Sequence, residues 1–239
     1  MYSPAVIYED NHIIAVNKRV SELVQGDRTG DVSLTENLKN WLRIKYNKPG
    51  DAFLGVIHRL DRPVSGVVIF AKTSKSLARM NELFKTKQIS KIYWAITGQR
   101  PPKESDRLVN YLRKDTTQNK SYIFKKKVKG SKEAILNYRT LYIFKNYSLL
   151  EIDLQTGRHH QIRCQLAGIG CPIMGDLKYG FPRSMENGGI GLHSRSVSFV
   201  HPVSKKPVAI TADPPGHVLW DIFMNMQSKK SNPDSINSV

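Results

Sequence analysis

Asp61 stands between two arginines in the segment His58-Arg59-Leu60-Asp61-Arg62-Pro63-Val64-Ser65-Gly66. Pro63 fixes a backbone angle and Gly66 permits turns, so the segment reads as a stiffened loop. Guanidiniums beside a carboxylate favour its charged form. Asp61 therefore reads as an anion that attacks or takes a proton, not as a proton donor. The same residues also fit an Arg/Asp ion pair that only fixes a loop. A second group lies at Arg158-His159-His160-Gln161-Ile162-Arg163. On a helix from Arg158 to Ile169, Ile162 and Leu166 form an apolar stripe with Arg163 at its edge. That placement buries the stem of Arg163 and lets its guanidinium reach a carboxylate, Asp61, with two nitrogens. A solvated Arg on an ordinary amphipathic helix is the alternative. Arg158, at the start of this helix, reads as a phosphate or loop contact. Tyr93 lies in a strand pattern, Lys91 to Gly98, beside Trp94. Side chains alternate along a strand, so only one of these two aromatics can line a cleft.

A polyanionic partner is implied by charge. The 239 residues hold 37 Lys and Arg against 20 Asp and Glu, a net +17. Such an excess repels itself and points first to nucleic acid. The stretch Lys120 to Lys132 carries six lysines with Tyr122 and Phe124 interleaved. Lys125, Lys126, Lys127 and Lys129 form its densest part and read as phosphate contacts beside stacking platforms, or else as a solvated hairpin face. A membrane is disfavoured: no run approaches the roughly 18 apolar residues of a spanning helix, and no signal-peptide pattern opens the chain. With only Cys164 and Cys171 there is no disulfide framework, which points to a reducing, cytoplasmic setting. His159, His160, Cys164 and Cys171 match no common zinc spacing. No metal is expected, and buried thiols are the better reading. Without a Gly-rich phosphate loop, no nucleotide cofactor is expected either.

The elements that must position these residues follow from periodicity. Val6 to Tyr8 and Ile13 to Val16 read as strands around a polar turn. Leu34 to Tyr46 has helical spacing, with Leu34, Leu38 and Leu42 on one face. Gly66 to Ala71 is a short apolar run, the mark of a buried strand, and a helix is predicted from about Ser76 to Lys85. The more polar stretch 103 to 130 predicts exposed strands. Ala134 to Phe144 and Tyr147 to Leu154 predict a hairpin turning at Lys145-Asn146. Leu192 to Val200 and Val208 to Ala212 read as strands, and Val218 to Met226 as a closing helix. The polar tail from Ser228 to Val239 predicts disorder. One domain over residues 1 to 227 is expected, α+β in class. It should hold a large, mostly antiparallel sheet with flanking helices and a central active-site cleft.

The segment His58-Arg59-Leu60-Asp61, followed by Ser65-Gly66-Val67-Val68-Ile69-Phe70-Ala71-Lys72, resembles the catalytic loop of the RluA-type pseudouridine synthases. Lys91 to Gly98 is similar to their tyrosine motif. Thr156 to Arg163, running on to Gly175-Asp176-Leu177-Lys178-Tyr179-Gly180, is similar to their arginine motif. Leu192-His193-Ser194 with Phe199 to Pro202 matches a late strand. Four motifs in order cover nearly the whole chain. Cys164-Gln165 and Pro63-Val64 depart from the commoner Val-His and Asp-Thr, beside functional positions rather than on them.

The resemblance implies isomerisation of uridine to pseudouridine in ribosomal or transfer RNA. Asp61 acts at the sugar, Arg163 partners it, and Tyr93 stacks on uracil and accepts the C5 proton directly or through water. Arg59 enters the space left by the extruded base, where a planar guanidinium stacks and pairs. Arg62 and Arg158 are the remaining RNA contacts near the site. The family's frequent N-terminal RNA-binding domain has no counterpart ahead of the match. Recognition by the catalytic domain's own surface is therefore expected, on a uridine in a compact stem-loop, with no obligate protein partner. Two other readings use the same residues: a non-catalytic RNA-binding protein of this fold, and a ribonuclease using His58 or His159 as acid and base.

Overall fold

Val67, Val68, Ile69 and Phe70 follow one another without a polar side chain, so a strand built from them needs cover on both faces. In a computed structural model, which describes residues 2–26 and 30–231, these residues lie on an interior strand of a mixed sheet, paired on both edges. In chain order the strands are β1 (Val6–Glu9), β2 (Ile13–Lys18), β3 (Gly55–Val56), β4 (Ser65–Ala71), β5 (Ile89–Thr97) and β6 (Ser105–Asp115). β7 (Lys120–Phe124), β8 (Lys132–Phe144), β9 (Tyr147–Leu154), β10 (Leu192–Val200) and β11 (Pro207–Thr211) follow. The main path through the sheet is β1-β2-β4-β10-β5-β9-β8-β6-β7, with β3 on β4 and β11 on β10. Only β4 and β10 run parallel among the described pairs, at Ser65–His193 and Gly66–Ser194. The fold is thus α+β with a mostly antiparallel sheet, as expected.

Four α-helices among the described residues cover the two faces: α1 (Leu34–Lys45), α2 (Ser74–Lys85), α3 (Gln161–Gly168) and α4 (Val218–Ser231). α1 begins in a reciprocal capping box between Ser33 and Glu36, which satisfies two amides that have no partner within the helix. Leu34, Leu38 and Leu42 of α1 share a core with Tyr93, and so do Ile162 and Leu166 of α3. Met80 of α2 packs among Ile13, Val67 and Ile69 on the reverse face. There Trp220 and Phe223 of α4 meet Trp94. Tyr93 and Trp94 do face opposite ways, and Tyr93 is the one on the cleft side.

The structure corrects two boundaries that bear on function. α3 begins at Gln161, not Arg158, because His160 sits in the left-handed region at φ 52°. The side chain of Gln161 closes the turn before it, accepting from the Thr156 hydroxyl at 2.8 Å and the Arg158 N–H at 3.0 Å. α4 runs past Met226 to Ser231, so the first residues of the expected tail are helical. Residues 232–239 of that tail lie outside the described residues.

Candidate active site

The Asp61 loop leads directly into β4, whose Gly66 has a φ of +115°. A Cβ at Gly66 would collide with the Ser194 backbone, so glycine is what lets β4 lie this close to β10. Lys18 secures the same loop. The residue is 1 % exposed, and its ammonium donates to the carbonyls of Arg19, Arg62 and Val64 at 2.9, 3.1 and 2.7 Å. Burial pushes its pKa down to about 8, with Glu22 and Asp61 pulling it up. Three carbonyl dipoles around one cation hold the loop as no solvated lysine would.

Asp61, Tyr93 and Arg163 meet in one cavity of about 380 Å³, whose lining also includes Arg59, Lys91 and His160. The Asp61 side chain is one-third exposed there. Arg163 Nη1 lies 3.2 Å from Asp61 Oδ2, and His160 Nε2 approaches the same oxygen at 3.5 Å. Asp61 Oδ1 takes no hydrogen bond from the described residues, which leaves one carboxylate oxygen to the cavity.

Arg163 does not grip Asp61 with two nitrogens. Its paired contact is with Asp176, Nε to Oδ2 at 2.7 Å and Nη2 to Oδ1 at 2.8 Å. Both partners are almost fully buried, at 5 and 1 % exposure. The reason is position: α3 is buried all round from Gln161 to Leu166, so Arg163 needs a buried counter-charge of its own. Asp176 lies within Gly175 to Gly180, part of the arginine motif, but nothing local to it marks it as the partner of Arg163.

His160 is aimed by a chain of hydrogen bonds. The Tyr179 hydroxyl accepts the Ser121 N–H at 2.8 Å and lies 3.0 Å from His160 Nδ1. The phenol has one proton, shared between the Ser121 carbonyl at 3.3 Å and Nδ1, and the imidazole tautomer that complements the Asp61 carboxylate carries its proton on Nε2. Burial, then the Arg163 charge, pushes the His160 pKa down to about 2, so the ring is neutral. Tyr93 is buried, which pushes its hydroxyl up to about 12, with Asp61 acting in the same direction. It is a neutral phenol at neutral pH.

The expected RNA contacts separate. Arg59 is exposed at the cavity rim. Arg62 is exposed too, and its guanidinium pairs with Asp31 at 2.9 Å rather than with its sequence neighbour Asp61. Arg158 lines the cavity ahead of α3 while its Nε donates to the Glu133 carbonyl at 2.8 Å. Lys125, Lys126, Lys127 and Lys129 are all exposed in the turn that follows β7. The other end of β7 touches the site, where Ser121 Oγ meets His159 Nδ1 at 2.9 Å. Lys125 is four residues on, about 13 Å along the strand.

Acid–base chemistry by histidine finds little support. His58 Nε2 accepts the Ile69 N–H at 3.1 Å, and burial pushes its pKa down to about 4. His159 is stacked on His160 at 3.8 Å between centroids, and burial lowers its pKa as well. Among the described residues no three His, Cys, Asp or Glu side chains are grouped to hold a metal ion. Both cysteines are free and buried, and burial pushes the Cys164 thiol up to about 11.

The family described as RNA pseudouridylate synthase matches residues 12–168, which takes in Asp61, Tyr93 and Arg163. The chain belongs to this family of isomerases. It is 30 % identical to ribosomal large subunit pseudouridine synthase C of Buchnera aphidicola, a match covering 95 % of this chain and 71 % of that protein. It is 32 % identical to tRNA pseudouridine synthase C of Haemophilus influenzae, covering 87 % of this chain and 91 % of that one. Among solved structures, human RNA pseudouridylate synthase domain containing 4 superimposes with a TM-score of 0.76 at 22 % identity, over 92 % of each chain, which supports the fold. The RluA-type resemblance read from four motifs is borne out at the level of the family. No helix among the described residues is long and apolar enough to cross a membrane.

Proposed function

We propose that this chain isomerises uridine to pseudouridine in ribosomal or transfer RNA, in the cytoplasm and without a cofactor, and that Asp61 is the carboxylate acting at the ribose. The observation that carries this reading is the asymmetry of Asp61. Arg163 and His160 both engage Oδ2, so the charge is held in place while Oδ1 stays available to a sugar. Whether as a nucleophile at C1′ or as a base on a ribose proton, a carboxylate needs that freedom. Tyr93 offers a ring face to the extruded uracil. Its hydroxyl, held protonated by burial, takes the C5 proton only as its own proton leaves to water, or else a water takes the C5 proton and the phenol orients that water. In either case the phenol ends neutral.

Base extrusion costs a few kcal/mol and costs least from a loop, which favours a uridine in a compact stem-loop. The test is pseudouridine mapping across total RNA from cells with and without the gene, then kinetics on the excised hairpin. The hairpin should be modified nearly as well as the intact RNA. A site modified only inside an assembled ribosomal particle would overturn the stem-loop reading, and no lost site at all would overturn the activity.

A further inference from the structure

A second concavity, of about 1160 Å³, opens from the catalytic cavity. The two share Phe84, Lys91, Leu154, Gly157 and Arg158 in their walls. The groove is bounded by the turn from α2 into β5, the loop from β9 towards α3, and the strands β10 and β11 where they pair. Its charged lining is Lys85, Lys87, Lys91 and Arg158 against the single carboxylate of Asp153. Asp153 Oδ2 already accepts from Asn137 Nδ2 at 3.2 Å and Gln155 Nε2 at 2.6 Å. The groove is therefore cationic, and a polyanion can lie in it without leaving the catalytic cavity.

Lys91 stands at the doorway. It lies two residues before Tyr93 on β5, hence on the same face, and lines both spaces. Its ammonium is 6.0 Å from the Phe84 ring centroid, and none of the described residues accepts a hydrogen bond from it. Burial lowers its pKa, with Asp153 pulling the other way. The half-buried ammonium thus has a ring face and the attraction of Asp153 beside it but gives no hydrogen bond to a described residue. At the junction of two open spaces it is placed to meet a phosphate oxygen.

We infer that this groove binds the single-stranded RNA on one side of the extruded uridine, and that the Lys91 ammonium takes the phosphate at the junction. This rests on the proposed uridine chemistry only in placing the reacting nucleotide at Asp61. Lys87 and Arg158 contact further phosphates outward from that point. Phosphate contacts of this kind set register and carry no sequence information.

The probe is a synthetic RNA hairpin with one uridine among cytidines in its loop, bound to the full chain carrying Asp61→Asn so that nothing turns over. Adding Lys91→Met should make the log–log salt slope shallower by about 0.7, the value for one single-strand phosphate. Its melting temperature should stay near the parent's, because no hydrogen bond to a described residue is lost; a purely structural lysine would lower it. An uncharged methylphosphonate is then placed at the linkage 5′ or 3′ of the uridine. One of the two should weaken the parent and have no further effect on Lys91→Met. Lys87→Gln with Arg158→Gln should flatten the slope in the same way. A parental slope in Lys91→Met, or methylphosphonate penalties that persist in it, overturns the inference. Binding needs no turnover, so an inactive chain that keeps the coupling sinks the uridine chemistry alone. An active chain without the coupling sinks the groove alone.

Discussion

Arg163 holds Asp176 with two nitrogens and Asp61 with one. The buried pair anchors the guanidinium, and the single remaining hydrogen bond steadies the carboxylate at the cavity without saturating it. On the proposed chemistry, stability rests with Asp176 and catalysis with Asp61, and each can be tested by its own substitution.

Asp61→Asn should abolish pseudouridine formation and leave RNA affinity within about threefold, since charge is removed but little volume. Tritium release from RNA labelled at uridine C5 reports turnover. Parental release by this variant would remove Asp61 from the chemistry.

Asp176→Asn leaves a nearly buried guanidinium with half its counter-charge, a change that costs about 3–5 kcal/mol when one partner of a buried pair is removed. The melting temperature should fall by roughly 10 °C for a chain of this size. Arg163→Met should lose stability and most turnover together, and Arg163→Lys should recover only part of either, lacking the planar fork. Calorimetry alongside the tritium assay separates the two effects; an unshifted transition in Asp176→Asn would contradict the buried pair.

His160→Phe keeps a planar ring but removes the Nε2 nitrogen facing Asp61 at 3.5 Å. The approach is long, so the loss should be modest, about tenfold in kcat with KM nearly unchanged. Steady-state kinetics checks the split, and a rise in KM alone would make His160 a substrate contact instead.

Burial lowers the pKa of four histidines in the fold, pushing His58 and His193 down to about 4 and His160 to about 2, and His159 in the same direction. Unfolded, each takes a proton below about pH 6.5. The unfolded chain then binds more protons, so stability should fall as pH drops from about 6.5 towards 4. His193→Gln should flatten that dependence by up to about one proton in denaturant titrations. An unchanged slope would mean that His193 is charged in the fold.

Neutralising Lys125, Lys126, Lys127 and Lys129 together should flatten the salt dependence of RNA binding, by about 0.7 for each phosphate that no longer meets a lysine. Filter binding over a salt series checks it. An unchanged slope would mean that this turn points away from the RNA.

The elements and the family can be read from the chain before it folds. Continuous apolar runs such as Val67 to Phe70 and the helical spacing of Leu34, Leu38 and Leu42 are local patterns that burial enforces. Asp61, Tyr93 and Arg163 are legible because each sits in a short motif whose residues are neighbours in the chain. Which charges meet is settled only on folding. Arg62 is next to Asp61 in sequence yet pairs with Asp31, because a loop side chain turns to the counter-charge that folding brings within reach. Asp176 answers Arg163 across 13 residues because a helix buried on every side needs internal neutralisation, and helical periodicity, which suggests an amphipathic edge, carries no sign of that. The left-handed His160 and the placement of Lys91 between two cavities are hidden for the same reason. Backbone handedness at one residue and the spaces a side chain opens onto are properties of the assembled surroundings, not of the residue type.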